Sequence, residues 1–141
     1  ALPEGRRVVT CDMDETVTAI AKRYWKEAGV AERIELRLGA ARETVAALID
    51  DGFGGRFDMA FIDANKKDYD TYYEASLELL RPGGLMAIDN VFWAGQVLDP
   101  ANQEKSTRAI RALNEKVRDD PRVSMTMLPL GDGLTLARKR G

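Results

Sequence analysis

Short apolar runs that end in an acidic residue recur along this chain and alternate with segments of helical period. The runs "VVTCD", "FDMAFID" and "LMAIDN" end at Asp12, at Asp63 and at Asp89 followed by Asn90. Such an alternation predicts an α/β fold with a mostly parallel sheet and helices on both faces. Because ligands bind beyond the carboxyl ends of the strands in these sheets, the three acidic ends predict one binding edge.

The spacing of the apolar residues also predicts where the elements lie. We expect strands at residues 7–12, 34–38, 57–62, 85–89, 123–127 and 134–136, and helices at 14–28, 41–51, 67–80 and 104–118. The last two strands flank Asp132-Gly133, which is hairpin-turn chemistry. An antiparallel hairpin is therefore expected to close the sheet.

Length and charge limit the classes of function. The 141 residues suffice for one domain, taken here as residues 1–141, and the net charge of −2 gives no reason to expect nucleic acid or an anionic membrane as partner. Apolar runs stay well short of the roughly 20 residues that cross a bilayer. The start "ALPEGRRVV" lacks the layout of a signal peptide, so we expect a cytoplasmic or organelle-matrix protein, with cytoplasmic as the prediction.

The chain contains no histidine, which excludes several chemistries. A Ser-His-Asp triad and a histidine-bound zinc are impossible. Any metal must be held by carboxylate, amide or carbonyl oxygens, which favour Mg²⁺ or Ca²⁺. A general base must be a carboxylate, a lysine or a tyrosine. The single cysteine, Cys11, lies in an apolar run and is expected to be a buried core residue.

The segment "DMDET" after the first strand allows more than one interpretation. Asp12, Asp14 and Thr16 form the D-x-D-x-T pattern of haloacid-dehalogenase-type phosphatases. Alternatively, Asp12 binds a nucleotide ribose, or it caps the following helix with Glu15 completing a capping box. A phosphatase needs a loop-and-flap excursion here and a later strand that ends in Ser or Thr. The chain instead enters a helix at once, and "LMAIDN" ends in neither residue.

Longer motifs carry a resemblance to a known family. The segments "FIDANKKDYDTYY" and "LLRPGGLMAIDNVFWAGQV", with the ending "LPLGDGLTLARKR", resemble the cation-dependent O-methyltransferases related to catechol and caffeoyl-CoA O-methyltransferase. The resemblance implies a Rossmann-like methyltransferase sheet, mostly parallel with a C-terminal antiparallel hairpin. It implies S-adenosylmethionine (SAM) as the methyl donor, and Mg²⁺, or else Ca²⁺ or Mn²⁺, as the metal.

The same resemblance assigns residues to the metal and to the acceptor. It implies that Asp63, Asp89 and Asn90 are the metal ligands and that Lys66 is the general base. Trp93 follows the I-D-N-V-x motif and would line the acceptor pocket. The acceptor would be an aromatic small molecule with a hydroxyl, catechol-like or another vicinal diol.

On the cofactor side, the resemblance places Asp12 on the ribose hydroxyls with Met13 beside it, and Ala41 by the adenine. Asp63 would also face the cofactor. Asn65 departs from the family pattern, because many relatives have an acid there.

The front of the chain departs more strongly from the family. Full-length relatives have a first strand and a G-x-x-x-G-Y-S turn before this point, and "ALPEGRRVV" resembles the tail of the helix after that turn, followed by the second strand. We therefore expect a domain without its first strand, whose open strand edges favour a homodimer. A non-catalytic chain that keeps the fold without binding the cofactor is the alternative.

Overall fold

The computed structural model describes residue 3 and residues 5–141. It divides into two compact units, the first ending at Ala47 and the second running from Leu48 to Gly141. In this described part of the chain, no helix is long and apolar enough to span a membrane.

The first unit contains two parallel strands that flank a helix. Its elements are β1 (Val8–Asp12), α1 (Glu15–Glu27), a 3-10 turn (Ala31–Arg33), β2 (Ile34–Leu38) and the start of α2 (Ala41–Asp50). Strands β1 and β2 pair from Val8 opposite Ile34 to Asp12 opposite Leu38. Both strands therefore end at the same edge, as the predicted parallel order requires.

Helix α1 begins where the period predicted it, but its cap is Asp14. The Asp14 carboxylate accepts hydrogen bonds from the main-chain N–H groups of Thr16 (2.8 Å) and Val17 (3.0 Å). The alternative in which Asp12 caps the helix is wrong, because the Asp12 carboxylate instead accepts from the N–H of Asp14 at 2.8 Å. Asp12 closes a tight turn between strand and cap.

The apolar face predicted for α1 is largely open to solvent. Val17 is 52% exposed, Ile20 52% and Tyr24 54%, whereas the buried residue of the helix is Thr18. The helical period of the apolar residues predicted the helix correctly, but it did not predict which of those residues are buried. Cys11, expected in the core, is only partly buried.

The predicted helical tail at the start of the chain falls partly on residues 1, 2 and 4, which lie outside the described residues. Pro3 and the segment from Gly5 to Arg7 are not helical.

The second unit is a four-stranded mixed sheet with two helices. Its elements are the end of α2, β3 (Phe57–Ile62), a 3-10 turn (Lys66–Asp68), α3 (Tyr69–Leu79), β4 (Leu80–Asp89), a 3-10 segment (Trp93–Leu98), α4 (Lys105–Asp119), β5 (Val123–Leu128) and β6 (Leu134–Lys139). The strand order is β3-β4-β6-β5, with β3 and β4 parallel and the other pairs antiparallel. The predicted α/β class with a C-terminal antiparallel hairpin is confirmed.

Strand β4 is longer than predicted. It starts at Leu80, so that "RPGG", read as a stop signal, lies within the strand, and the register shifts between Phe57 and Met59 of the neighbouring β3. The core of the unit lies between the sheet and helices α3 and α4. Its fully buried side chains include Tyr73, Met86 and Ile110, each 0% exposed.

Candidate active site

Two predicted acidic positions meet at one edge of the second unit. Strands β3 and β4 run parallel with Ile62 opposite Ile88, so Asp63 and Asp89 are the next residues on neighbouring strands. Both lie at the carboxyl ends of the strands. This is the edge at which open α/β sheets bind their ligands.

Lys66 lies between these strand ends and donates to both. Its Nζ is 3.1 Å from Oδ1 of Asp63 and 2.6 Å from Oδ1 of Asn90. It also donates to the hydroxyl of Tyr69, and its side chain is only 10% exposed. Oδ1 of Asp63 and Oδ1 of Asn90 are therefore both directed at one cationic group. The distance between these two oxygens cannot exceed the sum of their distances to Nζ.

Asn90 adopts a backbone conformation that few residues tolerate. Its φ is +58°, in the left-handed region, where asparagine is among the residues enriched. Its main-chain N–H donates to the Asp89 carboxylate at 2.7 Å. This turn is what brings the Asn90 side chain back to Lys66.

The loop after Asn90 is strained further. Trp93 and Ala94 both have φ of +49°, and each left-handed non-glycine residue costs about 1–2 kcal/mol. The indole of Trp93 is partly buried, and its ring centroid lies 5.8 Å from Nζ of Lys66. The predicted acceptor-wall residue thus borders the predicted base.

The C-terminal hairpin turn holds this loop in place. Asp132 accepts from the N–H of Phe92 through its main-chain oxygen (2.9 Å) and from the N–H of Ala94 through its carboxylate (2.5 Å). A Cβ on Gly133 would lie 2.6 Å from the ring of Phe92, so the turn can approach this closely only as glycine. Sequence reasoning identified Asp132-Gly133 as a turn, but gave no sign that it supports the loop.

Tyr69 is the site residue that the sequence did not single out. It is 0% exposed, and its hydroxyl donates to the main-chain oxygen of Asp89 at 3.2 Å. Burial, followed by the negative charges of Asp63 and Asp89, raises the pKa of Tyr69 above its ordinary value. The available signal was its position three residues after Lys66, which places both side chains on one side of the turn.

The predicted cofactor residues Asp12, Met13 and Ala41 lie in the first unit. Asp12 ends β1, and its main-chain oxygen accepts from the N–H of Gly39, just after β2, at 2.8 Å. Met13 is 76% exposed, and Ala41 opens helix α2. The three residues therefore share the carboxyl edge of the β1–β2 pair.

The structure brings together Asp63, Lys66, Asn90 and Trp93 in the second unit, with Asp89 bonded to Asn90. Within residue 3 and residues 5–141, no group of three or more Asp, Glu, Cys or His side chains is arranged to hold a metal. The predicted metal set is of another kind, because it combines two carboxylates with one amide.

Comparison with known proteins identifies the family. A family model described as O-methyltransferase matches residues 1–140. The chain belongs to the O-methyltransferase family. The phosphatase interpretation of "DMDET" is therefore wrong, and the D-x-D-x-T match is a coincidence of a strand end and a helix cap.

Individual relatives of this O-methyltransferase chain are similar over nearly its whole length. It is 49% identical over 140 residues to the "Probable caffeoyl-CoA O-methyltransferase 1" of Dictyostelium discoideum, covering 99% of this chain and 61% of the relative. It is 45% identical to the mouse "Catechol O-methyltransferase domain-containing protein 1", covering 99% of this chain and 53% of the relative. The chain thus spans little more than half of these relatives' length.

A solved structure shows the same fold. The O-methyltransferase TomG from Streptomyces achromogenes, in complex with SAM, is 33% identical and superimposes with a TM-score of 0.91. The comparison covers 99% of this chain and 65% of TomG. The predicted Rossmann-like methyltransferase fold is confirmed.

Proposed function

We propose that this chain carries the acceptor site and part of the cofactor site of a SAM-dependent O-methyltransferase. The reaction is transfer of a methyl group from SAM to a hydroxyl of a catechol-like or other vicinal-diol acceptor. The observation that carries the proposal is the position of Lys66, which contacts Asp63 and Asn90 and borders Trp93. The SAM complex of TomG and the names of the caffeoyl-CoA and catechol relatives support the same reaction type.

Asp63, Asp89 and Asn90 fit a divalent cation such as Mg²⁺. Their carboxylate and amide oxygens are the hard ligands that Mg²⁺ and Ca²⁺ prefer, and two of these oxygens already converge on the ammonium of Lys66. When bound, such an ion lowers the pKa of an acceptor hydroxyl and fixes its position, while SAM supplies the methyl group.

The chain's own residues would perform the remaining tasks. Lys66 would take the hydroxyl proton at Nζ as general base. Trp93 would form one wall of the acceptor pocket, so that the reacting oxygen meets the methyl group in line. On the cofactor side, the first unit would contribute Asp12 to bind the ribose hydroxyls, with Met13 and Ala41 beside the nucleoside.

The proposal is tested by binding and by methyl transfer. Calorimetric titration of the 141-residue chain, and of the longest in-frame product of its gene, with S-adenosylhomocysteine should give a micromolar dissociation constant. Methyl transfer to a 1,2-dihydroxyphenyl acceptor should exceed transfer to its monohydroxy analogue, and a chelator should abolish it. If neither protein binds the cofactor product, the chain is a non-catalytic member of the family.

A further inference from the structure

The Lys66 ammonium has three hydrogen-bonding partners, and two of them are proposed metal ligands. Its contacts are Oδ1 of Asp63, Oδ1 of Asn90 and the hydroxyl of Tyr69. An ammonium has three donors, so these partners satisfy it. If Asp63 and Asn90 turn their oxygens to a cation, Tyr69 is the one of these three partners that stays with the lysine.

The Tyr69 hydroxyl is itself fixed by the end of the sheet. It donates to the main-chain oxygen of Asp89 at 3.2 Å, which leaves a lone pair for the N–H of Lys66. The ring is 0% exposed, and Nζ of Lys66 lies 4.7 Å from its centroid. A phenol hydroxyl can donate one hydrogen bond and accept another at the same time, so the contacts with Asp89 and Lys66 are compatible.

We propose that Tyr69 is a positioning residue that holds the Lys66 amine at the acceptor site by a hydrogen bond independent of the metal ligands. The proposal rests on the function proposed above. Its chemical logic is that a base acts only within hydrogen-bond reach of the proton it removes. A lysine side chain has four rotatable bonds. If a cation took Asp63 and Asn90 and Tyr69 were absent, none of the three present partners would hold the Lys66 amine.

Helix α3 offers a matched control for this role. Tyr73 is also 0% exposed, and its hydroxyl donates to Asp120 at 2.9 Å. Its hydroxyl thus bonds Asp120 instead of Lys66. Tyr73→Phe therefore removes a buried tyrosine hydroxyl of the same helix while leaving the lysine contacts in place.

The test compares Tyr69→Phe, Tyr73→Phe, Lys66→Met and the Tyr69→Phe/Lys66→Met double variant. Tyr69→Phe should lower kcat by about tenfold to a hundredfold, the range for a misplaced catalytic group, with the KM for SAM unchanged. Tyr73→Phe should lower the unfolding midpoint and leave kcat unchanged. In the Lys66→Met background, Tyr69→Phe should cause no further loss of kcat, because a residue acting only through the lysine has nothing left to position.

A second readout does not depend on activity. In ¹⁵N-labelled protein saturated with Mg²⁺, the Lys66 ammonium signal should exchange with water faster in Tyr69→Phe than in wild type or Tyr73→Phe. The positioning role would be overturned if the double variant lost the product of the two single-variant reductions in kcat. It would also be overturned if Tyr69→Phe left the ammonium signal unchanged. If wild type transfers no methyl group, the proposed function fails, and the ammonium signal still decides the role of Tyr69.

Discussion

Nζ of Lys66 lies 2.6 Å from Oδ1 of Asn90, although 24 positions separate the two residues. The contact exists because the parallel strands β3 and β4 end side by side, and because Asn90 turns back with a φ of +58°. It joins the two sequence motifs that carry the family resemblance.

Divalent-cation binding should depend on Asp63. Asp63→Asn removes a charged ligand, and we expect the affinity for Mn²⁺ to fall by more than about tenfold, since losing even an outer-shell partner costs about 10- to 100-fold. Titration calorimetry with Mn²⁺ measures the effect. Asp51→Asn, an exposed change after helix α2, is the control and should leave the affinity unaltered. Equal affinities in both variants would contradict the metal site.

Substitutions at Asp12 and at Asp14 should have different effects, the first on cofactor binding and the second on helix capping. Asp12→Ala should weaken SAM binding by about 1–3 kcal/mol, the cost of removing one partner of a charge-assisted hydrogen bond. Asp14→Ala removes the cap of α1 and should lower the free energy of unfolding by about 1 kcal/mol with SAM affinity retained. Calorimetry and urea unfolding check both. If Asp12→Ala changes only stability, the ribose role is wrong.

Gly133 should be far less replaceable than Gly131. Both have positive φ, at +84° and +54°, but only at Gly133 would a Cβ meet the ring of Phe92. Gly131→Ala should cost about 1 kcal/mol of backbone strain, whereas Gly133→Ala should add about 1–3 kcal/mol of overpacking. Denaturant unfolding gives the difference, and the fluorescence of Trp93 should change only in Gly133→Ala. Equal losses would show that Phe92 moves aside freely.

Acid should weaken the second unit through Glu74. Hydrogen bonds from Arg122 and then Lys116 lower the pKa of Glu74 from 4.5 to about 2, against the opposing effect of burial. A carboxyl whose folded-state pKa is depressed stabilises the fold fully above its unfolded value and loses that contribution as pH falls towards the folded value. Stability should therefore drop between pH 4.5 and about 2.

Urea unfolding at pH 6 and pH 3 measures this loss. Glu74→Gln should reduce the difference between the two conditions, because the amide has no carboxyl to protonate. Glu78→Gln, an exposed change on the same helix, should keep the wild-type difference. A Glu74→Gln variant with the full acid sensitivity would assign the effect to other carboxylates.

Assembly should follow from the open strand edges. In the part of the chain that is described, β1 pairs with β2 alone and β3 with β4 alone, and Met59 and Phe61 on β3 are 55% and 61% exposed. Open apolar edges favour pairing with another chain, so we expect the 141-residue chain to form a dimer in light scattering. A stable, soluble monomer that unfolds cooperatively would contradict this.

The order and type of the elements could be predicted from the sequence because apolar period carries that information. Strands β3 and β5 and helix α4 lie within a residue or two of their predicted bounds. Period does not say what covers an apolar face, which is why the exposure of Val17, Ile20 and Tyr24 was not predicted. Period also missed that β4 begins at Leu80 and runs through "RPGG", where glycine and proline signalled a stop.

Part of the candidate site could also be predicted from the sequence pattern. Strand-end acids pointed to Asp63 and Asp89, while the roles of Lys66 and Trp93 came only from the family resemblance. The supporting roles of Tyr69 and Asp132 were missed because they are tertiary hydrogen bonds, to Asp89 and Ala94. Composition and spacing do not encode such contacts.

The position of β6 between β4 and β5 has a consequence for synthesis. Residues 134–139 leave the ribosome after the other five described strands, yet they form an interior strand of the sheet. Until they emerge, β4 has one unpaired edge and β5 has no partner at all. Ribosomes that stall or terminate before Leu134 would release chains with these edges exposed, which are targets for chaperones and proteases. The nascent chain can therefore complete this four-stranded sheet only after translation has passed β6.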